Sequence, residues 1–157
     1  MRTAKGRAFQ DAIFVRLFRL WAIGREEQVS VLPKMHKEAL KHGYHDVTAS
    51  ACASLFELVE GHLGRRLVRE CCCSPKFSSD EKALIGILLC APALTAGHGS
   101  REVPHGLPAA ISWAASCVCE AMFIELDPDI QALKGTPANR QDCPFGARPS
   151  AGAAHGL

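Results

Sequence analysis

Three adjacent cysteines, Cys71, Cys72 and Cys73, are the residues of this chain whose types and spacing could do chemistry. Arg65, Arg66 and Arg69 lead into them, and positive charge favours the thiolate, the form of cysteine that binds metal and meets oxidants. Two chemistries follow for the Cys71–Cys73 region, zinc binding and redox sensing. In an extended segment Cys71 and Cys73 share a side while Cys72 points away. A closed tetrahedral zinc site built on that pair would therefore need two more ligands. His62, a turn before Gly64, is the candidate within reach. Cys117 and Cys119 make a second CxC, but on a helix they stand roughly 200° apart around the axis. His42 and His45 span a glycine turn and lack the i, i+4 spacing of a helical histidine pair. The competing reading of the thiols is structural. Cys52, Cys90, Cys117 and Cys119 lie in apolar segments, where a free cysteine packs as a small hydrophobe.

Other chemistry is missing from the sequence. Gly97-His98-Gly99 lacks the third glycine of a phosphate-cradling loop, and there is no GxSxG, HExxH or CxxC. Acid pairs such as Glu57/Glu60 and Glu120/Glu125 have spacings common on solvated helix faces, so no general acid–base role is assigned to them. The balance leans against an enzyme. No cofactor is implied, zinc at Cys71, Cys73 and His62 being the exception.

Charge points to no nucleic acid. The net charge is +2, with six cations and one carboxylate in the first 25 residues, but no basic motif with interleaved aromatics accompanies them. Eight cysteines in 157 residues are many, yet the chain is too long and apolar for a small disulfide scaffold. The first apolar run, AIFVRLFRLWAI, is interrupted by Arg16 and Arg19 and has no small-residue cleavage site, so it does not read as a secretory signal. The expected setting is the reducing cytoplasm.

The elements that must position these residues are helices. Phe9, Ile13, Leu17, Leu20 and Trp21 recur at helical spacing over residues 7–24, with Phe14 and Phe18 widening the apolar face. Arg16 and Arg19 are left on a narrow remainder, expected to be solvated rather than to seat the helix on a membrane. Residues 26–42 carry a second helical stripe, kinked or restarted at Pro33. Asp46 or Thr48 can cap a third helix ending at Leu63 and Gly64, with Cys52, Leu55, Phe56, Val59 and Leu63 on its buried side. Ser78 and Glu81 have capping-box spacing before ALIGILLCA, a run apolar on every side that Pro92 should end. This segment, residues 80–90, is expected to be the wrapped centre, and it is far short of the ~20 residues a membrane span needs. A last helix is expected from Pro108 to about Leu126, with one stripe on Ile111, Ala115, Val118 and Met122 and another on Trp113, Cys117 and Ile124. Trp21 and Trp113 are both expected in the core.

The chain thus reads as all-α, a single compact bundle of about five helices over residues 1–133, followed by a disordered Gly/Pro/Ala-rich tail over 134–157. The function this composition favours is a small non-catalytic interaction or regulatory protein that binds an unknown protein partner or itself. The alternative is the cysteine-dependent zinc or redox protein.

Overall fold

A computed structural model describes residues 4–95 and 109–122, with side chains over 6–89 and 109–122. It is all helical among these residues: α1 (Ala4–Glu27), α2 (Leu32–Lys41), α3 (Thr48–Leu63), α4 (Ser79–Thr95) and α5 (Ala109–Ala121). No described helix is long and apolar enough to cross a membrane. The last helix beyond residue 122 and the 134–157 tail lie outside the described residues.

The centre of the bundle is an aromatic cluster between α1 and α3. Phe56 of α3 meets Phe14, Phe18 and Trp21 of α1 at ring-centroid distances of 5.5, 5.2 and 5.4 Å, within the range of favourable aromatic pairs. Met35 and Ala39 of α2, Leu84, Ile87 and Leu88 of α4, and Ile111, Ala115, Val118 and Met122 join them in one buried cluster. The expected centre, residues 80–90, is instead one wall of this core. Along α4, Leu84, Ile87 and Leu88 are fully buried while Leu89 is exposed. The reason is that α4 packs mainly on α5 and α1, whereas α3 packs on α1, α2 and α5.

Two helix ends differ from expectation for identifiable reasons. α1 does not stop at residue 24 but runs to Glu27. Gln28 then takes a left-handed conformation (φ 55°), and the Val29 N–H donates to Gly24 O at 3.0 Å, a Schellman closure. A Cβ on Gly24 would lie 2.2 Å from Val31 Cγ1, so the glycine is there for contact. Residues 26–42 are therefore not one kinked helix, and α2 is separate, with Pro33 in its first turn. Nor does Pro92 end α4, which continues to Thr95. Proline has no N–H to give the Leu88 carbonyl four residues earlier. That carbonyl accepts the Cys119 thiol of α5 instead, at 3.4 Å.

Neither Asp46 nor Thr48 caps α3, whose N-cap residue is Val47. The buried Thr48 hydroxyl donates across the bundle to Ala121 O, 3.2 Å, in the last turn of α5. Gly64 terminates α3 as expected, left-handed at φ 65° with its N–H on Glu60 O.

Candidate functional site

The cysteines sit on the 64–78 connection between α3 and α4, and acidic residues at the start of α4 hold that connection in place. The capping box forms: Ser78 N–H donates to Glu81 Oε2 (2.9 Å) and Glu81 N–H to Ser78 Oγ (3.1 Å). Asp80 takes a bidentate pair of bonds from Arg65, 2.7 and 2.9 Å, and one from Val68 N–H. The arginine beside it holds the Asp80 carboxyl below its usual range, helped by the Val68 amide. Glu81 also accepts from Glu70 N–H (3.1 Å) and from two nitrogens of Arg19 (2.8 and 2.9 Å).

Arg19 overturns the expectation of a solvated cation, for it is only 5% exposed. Its guanidinium also donates to Ser74 O (2.8 Å) and Lys76 O (2.7 Å). A buried charge is tolerated when it is paired and hydrogen-bonded, and this one is paired with Glu81 and has a hydrogen bond on every guanidinium nitrogen. Burial pushes the Glu81 carboxyl up, but bonds from Arg19 and from the Ser78 and Glu70 amides outweigh it and leave the group below its ordinary value. Hydropathy ranks Arg16 and Arg19 alike. Arg16 is exposed and pairs with Glu38 at 2.7 Å, so only the partner across the bundle separates the two.

This brace shapes the thiols. Glu70 N–H is pinned before the cysteines, and Ser74 O and Lys76 O after them. The intervening residues make a tight turn with Ser74 N–H on Cys71 O, 2.9 Å. The segment is therefore not extended, and Cys72 does not point away. All three Sγ atoms lie within 4.8 Å of one another, with Cys71 and Cys73 at 3.3 Å, and all three residues are exposed. Hydrogen bonds from the Cys73 amide and from the Cys73 and Cys72 thiols lower the Cys71 thiol, while the bond to Cys71 and its charge raise that of Cys73. Of the arginines expected to activate the thiols, Arg65 is committed to Asp80 and Arg69 to Glu26 at 2.7 Å.

His62 stands half-buried in the last turn of α3, and among the described residues the gathered ligand group is Cys71, Cys72 and Cys73 without it. Cys119 is buried, and burial pushes its thiol up to about 11. Cys52, fully buried, is raised further by the same cause and by Cys119 nearby. Both behave as the packing cysteines expected of them.

A second feature escaped the sequence reading. Trp113 is 69% exposed rather than in the core. It borders an open groove of about 740 Å³ between α3 and α5, floored by Ala51, Ala110 and Ala114 and flanked by Val47 and Leu58. Of the second α5 stripe, Trp113 and the half-buried Cys117 line this groove, and Ile124 lies outside the described residues. The one available signal was the run of alanines in α5, which cannot fill the space beside a tryptophan.

No family model, curated protein or solved structure matches this chain.

Proposed function

We propose that this protein is a non-catalytic helical interaction module that recognises a second copy of itself through the α3–α5 groove. The observation that carries the reading is Trp113. A tryptophan left 69% exposed beside an alanine-floored groove is the combination that fully desolvated interface anchors require. Knob and hollow also occupy the same patch. A two-fold contact needs this self-complementarity, since each copy must offer both features to the other. Val47 and Leu58, also exposed, extend the apolar surface on the α3 side. His45, Asp46 and Glu120 ring it with polar groups, as the rim of an interface requires.

Sedimentation equilibrium of the full chain tests this reading. Concentration-dependent dimerisation that Trp113→Ala weakens at least tenfold supports it. A chain that stays monomeric up to high micromolar concentration, or a dimer indifferent to Trp113→Ala, overturns it.

A further inference from the structure

We infer that Cys71, Cys72 and Cys73 form a three-thiolate site for a soft monovalent cation, Cu(I). This site is independent of the α3–α5 groove.

Geometry comes first. A metal–sulfur bond of ~2.3 Å sets the sulfurs of a thiolate site roughly 4 Å apart. The three Sγ atoms, one pair at 3.3 Å and all within 4.8 Å, bracket that separation. Three consecutive side chains ordinarily diverge. Here the turn closed by Ser74 N–H on Cys71 O gathers them on one side, where they are open to an incoming ion.

The donor set then selects the ion. Zinc in a structural site takes four ligands, and among the described residues no histidine or carboxylate joins the three sulfurs. Soft thiolates favour Cu(I), a closed-shell ion that two or three sulfurs satisfy. Binding would release three protons, one from each thiol, and leave the cluster with two net negative charges. Arg19, bonded to Ser74 O and Lys76 O of the same connection, and Arg69, two residues before Cys71, supply positive charge to offset them. The turn is also built before the ion arrives, because the anchors at Glu70, Ser74 and Lys76 are made by Arg19 and Glu81. A site held by its surroundings binds without the ordering cost of folding around the metal.

The test is anaerobic titration of the reduced full chain with Cu(I), in competition with a chromogenic Cu(I) chelator. One tight equivalent is expected, with an ultraviolet thiolate-to-copper band. Each of Cys71→Ser, Cys72→Ser and Cys73→Ser should lower the affinity at least tenfold, and the triple variant should lose the equivalent while keeping its helical circular dichroism. Cys117→Ser should leave it intact. A triple variant that retains the tight equivalent overturns the site, as do several equivalents of similar affinity spread over the thiols. A zinc equivalent at the trio that Cu(I) fails to displace overturns the choice of metal.

Discussion

The loop at the start of α4 and the face between α3 and α5 invert the usual sorting of residues. In the first, a guanidinium and a carboxylate are sealed from water; in the second, an indole faces it. Arg19 is buried because Glu81 and two loop carbonyls satisfy its N–H groups. Trp113 is exposed beside an open groove lined largely by alanines and serines, with no large side chain laid over it. Residue type sets the cost of burial, and the partners decide whether burial happens.

The largest effect should come from cutting the brace. Arg19→Met leaves Glu81 as an unpaired buried charge, a loss of ~3–5 kcal/mol measurable by urea unfolding. A reduction below about 1 kcal/mol would show that the pair is replaceable by packing. Next comes acid. The folded-state carboxyls of Asp80 and Glu81 are both lowered, so their contribution is complete above the unfolded values near ~4 and disappears as pH falls through the folded ones. Thermal unfolding below about pH 4 should therefore be steeper in pH for the parent chain than for Glu81→Gln.

Cys119→Ala should cost about 1–2 kcal/mol, since the Leu88 carbonyl beside Pro92 loses its donor. Cys119→Ser should recover part of that loss in the same denaturation assay. The smallest effect belongs to the other region. Trp113→Ala should change monomer stability by less than about 0.5 kcal/mol, as exposed substitutions do, while altering self-association. A substantial loss in monomer stability would mean that the indole is packing after all.

The architecture was legible because helix signals are local. Apolar spacing marked Phe14, Phe18 and Trp21, the Ser78–Glu81 box marked the start of α4, and Gly64 marked the end of α3. The errors lie where a distant residue decides. Pro92 reads as a stop because the sequence does not place the Cys119 thiol against Leu88. Arg19 and Arg16 look equivalent because their partners, Glu81 and Glu38, are brought up by tertiary packing. For the thiols, residue types and the nearby charge were visible. The turn that gathers Cys72 with its neighbours was not, because bonds from α1 and α4 impose it.

The brace also has a consequence for synthesis. Arg19 leaves the ribosome 62 residues ahead of Glu81, so newly made α1 carries an unanswered cation on the side it must later bury. The N-terminal helices can associate early through their aromatic rings. Watertight closure must wait for the fourth helix to emerge, and the three thiols take their final arrangement only then.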